Sequence, residues 1–260
     1  VNTTELASRR DIAGRIAGDA AALAARIRAG GMKAATMKGA QDFLTEADGA
    51  TEHFIRGELE RHFPGEPILG EEGGGTPPES GPLWILDPID GTANFARNAD
   101  RWCVSVGMAL DGRATIGAVA RHAPAQLVLG AKGCSASLNG QPISAAPTTD
   151  MARAIVEVGW SLRRPASGFI ALAARVMEAG AGVRSSGSGT LGLVETAMGR
   201  LDAYAELHMN AWDACAALAI AREAGCWTNA FDSGAWLTDG NPILFAAPAL
   251  GPRLMALLDG

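Results

Sequence analysis

Residues 84–95 read WILDPIDGTANF. An apolar run, Leu83 to Leu86, ends in two carboxylates three positions apart, Asp87 and Asp90, and then in Gly91-Thr92. Pro88 fixes its own φ and biases Asp87 away from helix, so the order of residues predicts a strand at 83–86 with both aspartates in a bent loop at its end. Such a loop aims two carboxylates and the Ile89 carbonyl at one point, which is the donor set of a hard divalent cation. Backbone N–H groups at Gly91 and Thr92 would face a phosphate oxygen if a helix starts there. The combination points to metal-assisted phosphate chemistry. By residue type alone, Asp-Pro-Ile-Asp-Gly is also an ordinary turn.

Three other segments enlarge the pattern. Thr45-Glu46-Ala47-Asp48 follows Lys38-Gly39 and Asp42; Gly70-Glu71-Glu72-Gly73 follows Phe63-Pro64; and Asn210-Ala211-Trp212-Asp213 leads into the run from Ala214 to Gly225. With WILDPIDGTANF, these segments resemble the inositol monophosphatase family in order and spacing, over about residues 30 to 230. Members of that family are magnesium-dependent, lithium-sensitive phosphomonoesterases. The resemblance implies a layered αβαβα sandwich of the inositol monophosphatase and fructose bisphosphatase type, with the active site between its halves. It also implies a homodimer and a small-molecule phosphate ester as the partner.

Composition agrees with a globular chain of that kind. The 260 residues are 48 per cent hydrophobic, enough for a substantial core in one large domain or two small ones. Charged residues make up 19 per cent, the formal net charge is −6, and the basic residues are scattered, which argues against a nucleic-acid surface. Apolar stretches are too short and too interrupted to span a bilayer, and the N-terminal segment has no signal-peptide apolar region, so a cytoplasmic protein without a membrane partner is expected. Cys103, Cys134, Cys215 and Cys226 lack CxxC spacing and read as reduced thiols, mostly buried. No histidine pair has the spacing of a zinc hydrolase.

The first half reads as a helix over 4–29, a second over 48–63, strands at 68–69 and 83–86, and a meander at 102–110, 114–121 and 126–131 with turns at Asp111-Gly112 and Asn139-Gly140. The second half alternates: helix 167–179, strand 183–185, helix 190–198, strand 202–206, helix 213–224, strands 226–229 and 243–246, and a terminal helix. An α+β half, about 1–145, packed on an α/β half, about 146–260, follows from that change of rhythm. The Gly- and Pro-rich run at 73–82 is the expected mobile loop.

Carried over by motif, the resemblance implies that Glu71, Asp87 and the Ile89 carbonyl hold one Mg²⁺, and that Asp87, Asp90 and Asp213 share a second, with Glu71 also touching a third. Asp48 and Thr92 would form the carboxylate–hydroxyl pair that orients or deprotonates the attacking, metal-activated water. The phosphate would rest on metal and on the Gly91 and Thr92 amides. Glu206, seven residues before Asp213, would bind ring hydroxyls, assisted by Asp90, Asp213 and the backbone of the loop carrying Gly187 and Gly189. Each residue also has a plainer reading: Asp213 as a helix N-cap, worth typically ~1 kcal/mol, Thr45 with Asp48 as a capping box, Glu71-Glu72 as a solvated turn, Thr92 as a cap.

The substrate expected from this set is a small polyol phosphate, with inositol 1-phosphate first, histidinol phosphate second, and a sugar or nucleotide bisphosphate as a further alternative. A second phosphate would need cations, and Arg184, Lys38 and Arg97 are the available ones. A non-catalytic binding protein would be expected to have lost one of the acidic or hydroxyl groups. The segment Ala99-Asp100-Arg101-Trp102 departs from the Phe-Pro pair usual before the family's next strand, which leaves substrate identity open.

Overall fold

The computed structural model describes residues 2–31, 36–39 and 42–260. Along the chain run α1 (Thr3–Ala29), β1 (Thr36–Gly39), β2 (Asp42–Leu44), α2 (Glu46–His62), β3 (Ile68–Gly70), β4 (Pro82–Asp90), α3 (Thr92–Ala96), β5 (Cys103–Leu110), β6 (Arg113–Arg121), β7 (Gln126–Ala131), β8 (Cys134–Leu138) and β9 (Gln141–Pro142). They are followed by β10 (Ile155–Val158), α4 (Ala166–Glu178), β11 (Gly182–Arg184), α5 (Gly189–Ala197), β12 (Ala203–Met209), α6 (Ala211–Glu223), β13 (Trp227–Thr228), α7 (Trp236–Asp239), β14 (Asn241–Ala246) and α8 (Gly251–Asp259).

Two sheets organise these elements. The first has the order β3-β4-β5-β6-β7-β8-β9, antiparallel except for the parallel β3–β4 pair. The second, β11-β10-β12-β14-β13, is parallel across β11, β10 and β12 and antiparallel beyond. Helices α1 and α2 cover the outer face of the first sheet, α5 and α6 lie between the sheets, and α4 and α8 cover the second sheet. The expected αβαβα layering is therefore the observed one.

Small residues set the thickness of the middle layer. Helix α6 reads AWDACAALAIARE, and its alanines lie directly on β5 and β6. A Cβ on Gly117 would stand 1.9 Å from the Ala216 carbonyl oxygen, so only glycine admits the helix this close. Thr190 Oγ1 donates to the Asp213 carbonyl at 2.8 Å and Ser105 Oγ to that of Trp212 at 3.3 Å, which fixes the start of α6 against α5 and β5. Asp213 is placed by these contacts.

Most expected helices and strands are present within a few residues. The strand at 83–86 is longer than its sequence suggests: β4 continues to Asp90, paired with β5 through Asp87↔Ser105 and Asp90↔Cys103, with the regular register broken between them. The bend expected as a loop is thus an irregularity inside a paired strand, where Pro88 lacks a ladder proton to give. Strand β10 was not expected. Its sequence IVEV is only four residues long and carries a glutamate, and Glu157 is nonetheless buried.

Candidate active site

Asp87 and Asp90 leave β4 beside the first turn of α6. One carboxylate oxygen each from Asp87, Asp90 and Asp213 lie within 4.8 Å of one another. All three carboxyls are pushed above the usual carboxylate range. Burial is the first cause for each; Glu71, Asp213 and Asp90 add to it at Asp87, Asp90 adds to it at Asp213, which reaches about 7, and at Asp90 a Ser188 hydrogen bond pulls part of it back. Uncompensated anionic oxygens in a dry place need a cation, and an all-oxygen donor set of this kind fits a hard divalent ion. Glu71, just past β3, is close enough to Asp87 to raise it and lines the same cleft.

The plainer reading of Asp48 holds without displacing the functional one, whereas that of Thr92 does not, since Gly91 and not Thr92 is the N-cap of α3. Asp48 Oδ2 accepts from Thr45 N at 2.8 Å and from Thr45 Oγ1 at 2.6 Å, a capping box that opens α2. Its other oxygen, Oδ1, faces Thr92 Oγ1 at 3.3 Å. The Thr92 hydroxyl is also 2.8 Å from the Ile89 carbonyl and has one proton for the two acceptors. Asp213 is not the N-cap of α6. Asn210 holds that position, and Asp213 stands in the first turn, turned into the acidic cluster.

Gly91 caps α3 with φ 89°, in the left-handed region. A Cβ there would meet the Arg101 carbonyl oxygen at 2.8 Å and that of Gly187 at 3.3 Å. The turn that follows Asp90 therefore packs against the loop Ser185–Gly189. Within that loop Ser188 Oγ hydrogen-bonds Asp90 Oδ2, and Thr190 N donates to the same oxygen at 3.0 Å.

The cleft encloses about 760 Å³. Glu71, Asp90 and Asp213 lie along it together with Gly187, Gly189 and Glu206, while Trp160, Leu162 and Arg163 from the segment after β10 complete its wall. Glu206 is buried, and burial pushes its carboxyl up to about 8 while a hydrogen bond from Tyr204 pulls it partly back. Of the cations expected for a second phosphate, Arg97 stacks on Phe43 and gives a hydrogen bond to the Ala93 carbonyl, and Arg184 is not part of the cleft wall. The side chains of Lys38 and Asp42 lie outside the described residues. Among the described residues of the wall the guanidinium is that of Arg163, whose charge lowers Glu206 and Asp213.

Several members of the site escaped the sequence reading. Ser188 and Thr190 sit in a segment already singled out, and their serine–glycine–threonine run is the signal that marks them. Tyr204 shares a strand face with Glu206, since the two are separated by one residue. Arg163, Arg101 and Glu157 carry no local signal. The cysteines are free thiols; Cys103 Sγ lies 3.8 Å from Asp90 Oδ2, and Cys215 is core, its sulfur facing Gly107 of β5.

This layering, with an acidic all-oxygen cluster where β4 meets α6, defines a phosphomonoesterase class of α/β protein. The chain belongs to the inositol monophosphatase family, whose model matches residues 5–259. It is 34% identical over 200 residues to the inositol-1-monophosphatase of Synechocystis sp., covering 74% of this chain and 68% of that one. To human inositol monophosphatase 2 it is 36% identical over 202 residues, covering 74% and 70%. The solved inositol monophosphatase of Anabaena superposes with a TM-score of 0.86 at 28% identity, over 98% of this chain and 96% of that one.

Proposed function

We propose that this chain is a Mg²⁺-dependent phosphomonoesterase that hydrolyses a small polyol phosphate, inositol 1-phosphate before others. The observation that carries the reading is the convergence of one oxygen each of Asp87, Asp90 and Asp213 within 4.8 Å, with Asp90 and Asp213 lining a cleft that also holds Glu206. Glu71, Asp87, the Ile89 carbonyl, Asp90 and Asp213 would hold the metal, and bound Mg²⁺ would supply neutralisation of the phosphate and a lowered pKa for water.

The protein's own groups have separate tasks. Thr92 Oγ1, with Asp48 Oδ1 behind it, orients the attacking water and passes its own proton to Asp48 as it takes one from that water; Asp48 is buried, and burial pushes its carboxyl up. The Gly91 and Thr92 amides at the start of α3 support the phosphate. Glu206, Asp90, Asp213 and the backbone at Gly187 and Gly189 take the hydroxyls of the leaving alcohol. The Synechocystis and human relatives, named as inositol monophosphatases, favour the inositol ester. A homodimer and a cytoplasmic setting belong to the same reading.

Phosphate release from inositol 1-phosphate, histidinol phosphate, fructose 1,6-bisphosphate, 3′-phosphoadenosine 5′-phosphate and glycerol 2-phosphate, with and without Mg²⁺ and with added Li⁺, tests it. Mg²⁺-dependent, Li⁺-inhibited preference for the inositol ester is expected. Preference for another member would reassign the substrate, and no release from any member would overturn the enzymatic reading.

A further inference from the structure

We infer that Arg101 is a positioning residue for substrate selection, a clamp that holds the Ser186–Ser188 loop where the leaving alcohol rests. The inference rests on the polyol-phosphatase reading above. Arg101 lies between α3 and β5, in the first half of the chain, and its guanidinium reaches two elements of the second. Nη1 stands 3.0 and 3.1 Å from the two carboxylate oxygens of Glu195 on α5, and Nη2 stands 2.9 Å from Glu157 Oε2 on β10. The Nε atom is buried without a partner, so the hold of the guanidinium passes through its two terminal nitrogens.

Glu157 passes that hold to the cleft. Its side chain is 3% exposed, its Oε2 is taken by Arg101, and its Oε1 accepts from Ser186 Oγ. From the other side, Asn94 Nδ2 contacts the carbonyls of Arg101 at 2.9 Å, Ser186 at 3.0 Å and Gly187 at 3.2 Å. Asn94 thus holds the loop backbone independently of the Arg101 side chain, and the loop's side chains have two further anchorages. The inner one, Ser188 Oγ and Thr190 N on Asp90, belongs to the metal cluster and does not involve Arg101. The outer one, Ser186 on Glu157, depends on Arg101 to keep a buried carboxylate charged and in place.

That division separates binding from turnover. Without Arg101, Glu157 must take up a proton or swing toward water, and either change loosens the outer edge of the loop while Asp90 keeps its contacts. A lysine substitutes only in part, because a point charge lacks the planar fork that spans carboxylates from two elements.

Steady-state kinetics of Arg101→Ala and Arg101→Lys at saturating Mg²⁺, on inositol 1-phosphate and on glycerol 2-phosphate, test the inference. Arg101→Ala is expected to raise KM for the ring ester about tenfold while kcat stays within about threefold, with KM for the glycerol ester and the Mg²⁺ half-saturation unmoved. Arg101→Lys should fold as the wild type does and recover only part of the difference. An equal fall in kcat/KM for both esters, or no change for either, overturns the clamp. Hydrogen exchange at Ser186–Ser188 separates this inference from the substrate reading. Faster exchange in either variant supports the clamp even if neither ester is a substrate, and unchanged exchange overturns it whatever the substrate is.

Discussion

The hydroxyl of Tyr204 lies 2.5 Å from Oε2 of Glu206, two residues along β12 on the same face of the strand. Glycine at 159 leaves room for the pair, since a Cβ there would stand 2.1 Å from the phenol oxygen and 2.2 Å from Oε2. One carboxylate oxygen is thereby committed to the protein. The other is the oxygen that the proposed function gives to a ring hydroxyl.

Glu206→Gln keeps the shape and alters the acceptor. It is expected to raise KM for inositol 1-phosphate more than for glycerol 2-phosphate, since a non-ring ester reaches less of the cleft. Tyr204→Phe should act in the same direction and less strongly, by freeing the carboxyl to rotate. Equal effects on both esters, measured as KM at saturating Mg²⁺, would remove Glu206 from the ring contact.

Asp90 joins the acidic cluster to the Ser188 loop, so its replacement separates charge from tethering. In Asp90→Asn the amide oxygen still accepts from Ser188 Oγ and Thr190 N, which preserves the loop, while one anionic ligand is lost. A fall in kcat of about 10² or more is expected with the folded state intact. Near-wild-type kcat at saturating Mg²⁺, with a normal circular dichroism spectrum, would refute the ligand role.

Thr92 offers a cleaner separation than Asp48. Thr92→Val removes the hydroxyl and leaves the Thr45–Asp48 cap whole, so kcat should fall by about 10²-fold with Tm and Mg²⁺ half-saturation little changed. Asp48→Asn changes both sides of its carboxylate and should lower kcat and also weaken the α2 cap, by about 1 kcal/mol in stability. A Thr92→Val enzyme with unimpaired kcat, or one that loses Mg²⁺ affinity instead, would assign the hydroxyl to another task.

The contrast between these residues and the clamp explains how much was legible in the sequence. Asp87, Ile89, Asp90 and Thr92 are neighbours in the chain, so local chemistry and spacing identify them. Asp213 and Glu206 lie far away in sequence and came into the same reading through the family resemblance, which also carried the layered fold. Arg101 and Glu157 had neither kind of signal. Glu157 interrupts a four-residue apolar run and conceals β10, and the reason it is tolerated there is an arginine 56 positions earlier. The bend at Pro88 was legible as chemistry and misread as a loop, because the pairing of Asp87 and Asp90 with β5 is a tertiary fact.

The acidic cluster also sets a pH dependence with a definite sign. Burial first, and then neighbouring carboxylates, hold Asp213 at about 7 and Asp87 higher than an ordinary carboxyl, against 3.8 for a free aspartate. A folded-state pKa above the unfolded one means that the native state binds more protons between these values. The stability from these groups is therefore fully present below about pH 4 and is lost as pH rises through about 7. Mg²⁺ held by this cluster, as proposed, would require the deprotonated oxygens, so it would compete with those protons and bind more tightly as pH rises. The metal-free protein is expected to lose Tm between about pH 5 and pH 8, and saturating Mg²⁺ to raise Tm little at the lower pH and markedly at the higher one. Asp213→Asn isolates the cluster from the other carboxylates: it should flatten the metal-free slope and shrink the Mg²⁺ increment together. A Mg²⁺ increment equal at both pH values, or one that survives Asp213→Asn unchanged, would place the metal elsewhere in the molecule.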